Sequence, residues 1–292
     1  MYFKRLVYIV LGIILSVSAA FAGGTASPFS RYGYGELQNP VSGAMLSMGG
    51  LGYGMRTNRV INPSNPASYS SIDSLTFMMD LGVSGVIDGY ATELGRNTKF
   101  AGNLDYVAFQ FPLAEWAALS FGVNPLTVVG YEYKFTNLQE SFGYEDTLSV
   151  SQYFYGKGGI TQVYLGLSFD ICDRVAVGVN GRHIFGNIMH FREVSFPYES
   201  NFKPTQYKDA VYVSAWECDF GIQYHQPIGK DDMLVLGGTY SLKMPMNNST
   251  EITSNTNIED FDNKSYEFDY PQTVGAGFSY LWNNRLLVGA DV

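Results

Sequence analysis

Apolar and polar residues alternate strictly along most of the chain from about residue 74 onward. In 75–83, for example, Leu75, Phe77 and Met79 alternate with Thr76 and Met78. Successive side chains of a strand point to opposite faces, so each run predicts a strand with one apolar face and one polar or glycine-rich face. We therefore predict an all-β protein whose nine strands lie at 74–89, 100–112, 116–135, 159–171, 174–189, 209–225, 232–244, 268–282 and from 286 onward.

Two environments suit such strands. A soluble secreted β-sandwich buries the apolar faces between two sheets, whereas an antiparallel transmembrane β-barrel turns them toward lipid. The barrel is favoured because carboxylates, amides and glycines share the other face and because aromatic residues cluster near strand ends. Short connections also alternate with long ones, which is typical of outer-membrane barrels. The predicted short turns are 112–115, 172–173, 226–231 and 283–285, and the long connections are 90–99, 136–158, 190–208 and 245–267.

The composition agrees with this fold and excludes several classes of protein. Only 15% of the residues are charged, where about 25% is usual for soluble domains. Aromatic residues make up another 15%, which excludes intrinsic disorder. The net charge of −9 argues against nucleic acid as a partner, and two cysteines exclude a disulfide scaffold.

The first 22 residues predict a secretory signal peptide. Lys4 and Arg5 precede the apolar run 6–19, and Ala20-Phe21-Ala22 forms a small-x-small cleavage site. No later segment offers the roughly 20 apolar residues that a membrane-spanning helix requires. Together with the predicted barrel, the signal peptide indicates the outer membrane of a Gram-negative bacterium.

The segment 23–73 lacks alternation and is rich in Gly, Asn, Pro and Ser. Asn39-Pro40 predicts the start of an amphipathic helix of about ten residues, which Gly49-Gly50 ends. An irregular segment of this length needs a place in which to satisfy its backbone groups, and a barrel lumen is such a place. We therefore predict an N-terminal luminal plug at 23–73 and a barrel at 74–292.

A plug, an Asn65-Pro66-Ala67 motif just before the first strand, and strands rich in Tyr and Gly follow one another along the chain. Over 28–292 this order resembles the FadL-type outer-membrane transporters of long-chain fatty acids and other hydrophobic compounds. The resemblance implies a monomeric fourteen-stranded barrel in which Asn65, Pro66 and Ala67 belong to a luminal hatch. It also implies passive uptake of a fatty-acid-like molecule. Because nine strands cannot close such a barrel, we expect about five further strands beyond residue 292, or strands from a partner chain.

The predicted third strand contains Asn124 and Pro125. Proline removes a ladder hydrogen bond, so a kink that opens a gap toward lipid is expected here, with a plain hairpin as the alternative. The predicted kink resembles that of FadL-type proteins, in which a kinked third strand serves as the lateral exit. The resemblance implies a lateral gate at these two residues.

Candidate ligand contacts are the apolar and aromatic residues of the plug and of the lumen-facing strand positions. They are Phe29, Tyr32, Tyr34, Met45, Met48, Leu51, Tyr53, Met78, Tyr106 and Tyr164. The three histidines lack metal-ligand spacing, and no serine is placed beside a base. We therefore expect no enzyme activity, no cofactor and no metal.

A second function is compatible with the same fold. The chain is then a non-transporting outer-membrane interaction protein, such as a surface-attachment barrel or a type IX secretion accessory barrel. Outer-membrane lipid and lipopolysaccharide are expected neighbours in either case. The acidic stretches 140–146 and 259–269 are expected to be solvated loops, with divalent-cation bridging to lipopolysaccharide as the alternative.

Overall fold

The computed structural model describes residues 25, 27–38, 41–92, 95–140, 147–196, 203–229, 231–254 and 268–292. The predicted signal peptide at 1–22 lies outside these residues, as do Asn39 and Pro40. Among the described residues, no helix is long and apolar enough to cross a membrane.

The described chain consists mostly of antiparallel strands, which confirms the all-β prediction. One α-helix, α1, spans Gly43–Leu46, and 3-10 helices span Pro28–Arg31 and Pro66–Ser71. The strands are β1 Glu36–Leu37, β2 Met78–Thr92, β3 Gly95–Ala114, β4 Ala117–Glu140, β5 Thr147–Cys172, β6 Val175–Ser195, β7 Thr205–Ile228, β8 Asp232–Ser241, β9 Met244–Ser254, β10 Phe268–Tyr270, β11 Thr273–Trp282 and β12 Leu286–Asp291.

The strands form one sheet that curls into a half-barrel, in the order β12-β11-β8-β7-β6-β5-β4-β3-β2. This path has nine strands within the described residues, which is the number predicted. The strand β9 continues β8 along β7, since β8 pairs with 219–228 and β9 pairs with 207–215. The short strand β10 continues β11 in the same way, because it pairs with β9 while β11 pairs with β8.

The strand formed by β8 and β9 and the strand formed by β10 and β11 are interrupted at the same level of the sheet. Leu242 and Lys243 separate β8 from β9, and Pro271 and Gln272 separate β10 from β11. Pro271 has no N–H group to donate to a ladder, so pairing stops there. The predicted strands 232–244 and 268–282 both run through these breaks, and the connection predicted at 245–267 begins within strand β9.

Several predicted bounds were wrong. The strands β4 to β7 extend well into the connections predicted at 136–158 and 190–208. Helix α1 has four residues instead of about ten, because Ser42 provides the N-cap by accepting a hydrogen bond from the Met45 N–H. The helix also ends earlier than predicted, at Leu46, and Gly49 and Gly50 follow with φ of 79° and 85°, values that favour glycine.

The polar and glycine-rich face of the sheet is the inner, covered one. Ser120, Ser168, Asn180 and Gln223 are completely buried on it. The apolar face is exposed, and Leu165 and Trp216 show 56% and 66% of their surface to the outside. Around these residues the arrangement reverses that of a soluble protein, in which the apolar face of a sheet is buried. Toward the long connections the inner face instead carries a buried apolar cluster that includes Val129, Ile184 and Ile188.

Candidate functional site

The segment 51–72 crosses the inner face of the sheet from β12 to β3. Its path follows glycines that face inward from neighbouring strands. Gly178 and Gly221 are paired directly on β6 and β7, and a Cβ atom on either would collide with the stretch around Pro66. Gly237 and Gly277 are paired in the same way on β8 and β11, beneath the backbone of Tyr53 and Gly54. The absence of side chains at these positions lets the two backbones approach closely. We call 51–72 the inner segment.

Side-chain amides hold the inner segment against these four glycines, which we call the glycine floor. Asn65 is fully buried, accepts a hydrogen bond from the Ala67 N–H and donates to the Tyr53 carbonyl at 2.7 Å. Gln223 on β7 donates to the carbonyls of Tyr53 and Met55 at 3.2 and 3.0 Å. An irregular segment has no ladder of its own, so these bonds satisfy backbone groups that burial would otherwise leave unpaired.

A buried charged cluster fixes the middle of the inner segment. Arg182 on β6 forms ion pairs with Asp219 at 2.7 Å and Glu217 at 3.6 Å, both on β7. The same guanidinium donates to the Pro63 carbonyl at 3.1 Å. Glu217 and Asp219 are each 3% exposed, so their two charges depend on one cation for compensation.

A second ionic contact fixes the segment against β5. Arg56 donates to Asp170 at 3.1 Å and also to Ser70 and to the Ala67 carbonyl. Burial lowers the pKa of Arg56, whereas the carboxylate of Asp170 opposes that shift. The guanidinium therefore joins two parts of the inner segment to the sheet.

Tyr69 and Asp291 anchor the two ends. The Tyr69 hydroxyl donates to Asn180 at 3.0 Å, and burial raises the pKa of Tyr69 well above its ordinary value, so the hydroxyl keeps its proton. At the other end, one carboxylate oxygen of Asp291 accepts from the N–H groups of Gly52 and Tyr53 at 2.6 and 2.9 Å. Sequence reasoning missed these charged contacts, although Arg182, Glu217 and Asp219 all lie on the polar face of predicted strands.

The candidate ligand contacts do not form one site. Phe29 and Tyr32 are more than 70% exposed, whereas Met45 and Tyr164 are buried in two different apolar clusters. The others lie apart, because Tyr34 accepts from Asn248, Tyr53 lies in the glycine floor and Tyr106 donates to Asp80. Met78 packs near Tyr164, Met48 packs beside Met45, and Leu51 approaches Gly289.

The motif Asn65-Pro66-Ala67 lies at the centre of the inner segment. Pro66 and Ala67 begin the second 3-10 helix, and Asn65 caps it. All three residues are buried against β5, β6 and β7. Their positions are those of a structural anchor, since each contacts backbone or glycine instead of an open cavity.

Asn124 and Pro125 lie within one continuous strand, β4, so a hairpin at this position is wrong. Both residues pair with β5, and the register shifts between Pro125 and Thr127. On the opposite side, β3 leaves β4 after Val123, and β1 replaces it by pairing with Thr127 and Val128. The edge that the register shift exposes is thus occupied by the chain's own N-terminal residues.

An open cavity of about 800 Å³ lies at the end of the sheet where the short turns are. One wall is the inner segment, and the other consists of β7, β8, β11 and β12. Its lining residues are Met55, Arg56, Thr57, Asn58, Arg59, Ser70, Ser71, His225, Met233, Val235, Ser279, Leu281, Asn284 and Leu287. None of the candidate ligand contacts lines this cavity.

The family model described as BamG matches residues 2–292, nearly the whole chain. The chain belongs to the BamG family. BamG is a component of the BAM complex and points to outer-membrane protein assembly. No curated protein and no solved structure matches the chain.

Membership in the BamG family overturns the resemblance to the FadL family. The predicted fatty-acid channel, its hydrophobic small-molecule partner and the related transport terms are wrong. The misleading features were the Asn65-Pro66-Ala67 motif and the Gly-rich plug, whose residues pack the inner segment closely on the sheet in this structure. The alternative of a non-transporting outer-membrane interaction protein agrees better with the family.

Proposed function

We propose that this chain is a membrane-embedded, non-transporting component of the outer-membrane protein assembly machinery that acts by binding other proteins of the BAM complex. The observation that carries the proposal is the BamG family match over 2–292. A protein partner then takes the place of the small hydrophobic molecule expected from the sequence.

The exposed apolar face supports a position within the membrane. Trp116 and Trp282 lie beside short turns, and Trp216 lies twelve residues before the end of β7 at Ile228. Twelve strand residues tilted by about 45° rise roughly 28 Å, close to the 25 Å apolar band of outer-membrane barrels. All three tryptophans are more than half exposed on the outer side, as interfacial aromatic residues are.

The covered inner face supports a role that does not involve conduction. Ion pairs, amide hydrogen bonds and glycine contacts hold the inner segment across β3 to β12, which supports a role as a luminal plug. Displacing it would take the Pro63 carbonyl away from the Arg182 guanidinium and uncover the charged cluster of Arg182, Glu217 and Asp219. A plug held by so many directional contacts is suited to maintaining the shape of the sheet for a protein partner.

Affinity purification tests the proposal. The full chain with a C-terminal tag is expressed in its own host, membranes are solubilised in a mild detergent, and co-purified proteins are identified by mass spectrometry. We expect other BAM components at near-stoichiometric amounts, and their absence from a purification of an unrelated tagged outer-membrane barrel. Recovery of the tagged chain free of BAM components, with normal levels of outer-membrane proteins after its depletion, would contradict the proposal.

A further inference from the structure

The cavity beside the short turns has two walls of opposite chemistry. Apolar side chains of Met233, Val235, Leu281 and Leu287 face it from the sheet. Hydroxyl, amide and cationic groups of the inner segment form the other wall. A ligand that fits such a cavity carries an apolar group on one side and polar groups on the other.

Arg59 is the cation that the cavity offers to a ligand. Arg56 also lines the cavity, but its guanidinium is already bonded to Asp170, Ser70 and the Ala67 carbonyl. Arg59 is exposed, and among the described residues its side chain has no hydrogen bond or ion pair. In a chain with a net charge of −9, an unpaired arginine beside an apolar wall favours a carboxylate.

Hydroxyl and amide side chains share the wall of the cavity with Arg59, among them Thr57 and Asn58. Such groups exchange hydrogen bonds with the backbone N–H and C=O groups of a peptide. A peptide combines an N–H, an apolar side chain and a carboxylate within two or three residues, whereas a simple carboxylate amphiphile lacks the N–H.

Hydrogen bonds join the two short turns at the rim of the cavity. Asp232 on β8 accepts from the Tyr280 hydroxyl at 2.9 Å and from the Asn283 N–H at 2.7 Å. The Asn284 N–H donates to the Asp231 carbonyl at 3.1 Å, so the two short turns are joined. A preformed rim reduces the entropy that binding costs.

We propose that this cavity binds an extended peptide segment of a partner protein, with its apolar side chain against Leu281 and Leu287 and its carboxylate on Arg59. The inference rests on the proposed function for the identity of the partner as a protein, and it adds the site and its chemistry. In an outer-membrane barrel the short turns face the periplasm, so the segment arrives from that side.

Fluorescence anisotropy tests the site with two labelled hexapeptides, one alternating leucine with glutamate and the other alternating leucine with glutamine. The full chain is purified in detergent micelles, and micelles alone provide the background. We expect the glutamate peptide to bind about tenfold more tightly than the glutamine peptide, and Arg59→Gln to remove that preference. Arg285→Gln is the matched control, because Arg285 lies in the neighbouring turn but does not line the cavity.

Three outcomes overturn the inference. Equal binding of the two peptides refutes carboxylate recognition, and an unchanged preference in Arg59→Gln refutes the site. Displacement of the peptide by decanoate at equal concentration assigns the cavity to simple amphiphiles. Heat-modifiable migration on gels verifies that each variant is folded. Co-purification with BAM components is measured separately, so a failed peptide assay leaves the proposed function standing.

Discussion

Arg182 on β6 and Asp219 on β7 form a 2.7 Å ion pair beneath the inner segment. The same arginine contacts Glu217 and donates to the Pro63 carbonyl, so one side chain compensates two buried carboxylates and holds the segment. The cluster is therefore a point where the stability of the sheet and the docking of the segment depend on each other.

Replacing Arg182 with Met should destabilise the fold by about 3–5 kcal/mol, because it leaves two buried carboxylates without a cation. Thermal unfolding in detergent micelles measures the loss. Adding Glu217→Gln and Asp219→Asn to the same chain should recover part of it. The matched control is Lys243→Met, since the Lys243–Asp269 pair is largely exposed and is worth less than about 1 kcal/mol. If Lys243→Met lowers the stability as much as Arg182→Met does, the role of the cluster is refuted.

Gly178 and Gly181, two of the three glycines of β6, differ in what lies above them. A Cβ atom at Gly178 would collide with the Pro66 carbonyl, whereas Gly181 has open space around it. Gly178→Val should therefore lift the inner segment at a cost of about 1–3 kcal/mol, and Gly181→Val should be tolerated. Limited trypsin digestion reports the difference, because cleavage after the buried Arg56 requires the segment to leave the sheet. Absence of cleavage after Arg56 in Gly178→Val would contradict the packing described here.

The strands could be predicted from the sequence because inner and outer positions carry different residue types. Val177 and Val179 face outward while Gly178 and Asn180 face the inner segment, and this difference produces the alternation. In the outer part of β5, around Gln152 and Lys157, polar residues occur without strict alternation, so the strand was predicted too short. There the backbone ladder with β4 and β6 maintains the strand.

The docking of the inner segment could not be predicted in the same way. Pro66 contacts Gly178 and Gly221, which lie more than a hundred residues further along the chain. No local pattern connects them, and a glycine on a polar face equally suits a lumen filled with water. The same ambiguity made Asn65-Pro66-Ala67 suggest a transporter hatch, although the family indicates assembly of outer-membrane proteins.

The outer face offers a direct test of membrane exposure. Leu165 is 56% exposed and lies seven residues above the turn at Cys172, near the middle of the expected apolar band. Leu165→Arg should cost about 2–4 kcal/mol in lipid vesicles, since a cation at that depth contacts hydrocarbon. Glu115→Arg, placed in a short turn, should cost little. Equilibrium unfolding by guanidinium measures both, and equal stability of the two variants would show that the outer face is in water.

The reactivity of the two cysteines tests which part of the outer face is covered by lipid, without a measurement of stability. Both are free thiols; Cys172 is exposed beside a short turn, and Cys218 is half-buried on the outer face two residues from Trp216. If lipid covers that face, a charged maleimide should label Cys172 and leave Cys218 unlabelled in proteoliposomes, because a charged reagent does not enter hydrocarbon. Intact mass spectrometry counts the adducts. The variants Cys172→Ser and Cys218→Ser assign them, and labelling after denaturation verifies that both thiols can react. Rapid modification of Cys218 in intact proteoliposomes would mean that β7 faces water or a solvated partner at this level.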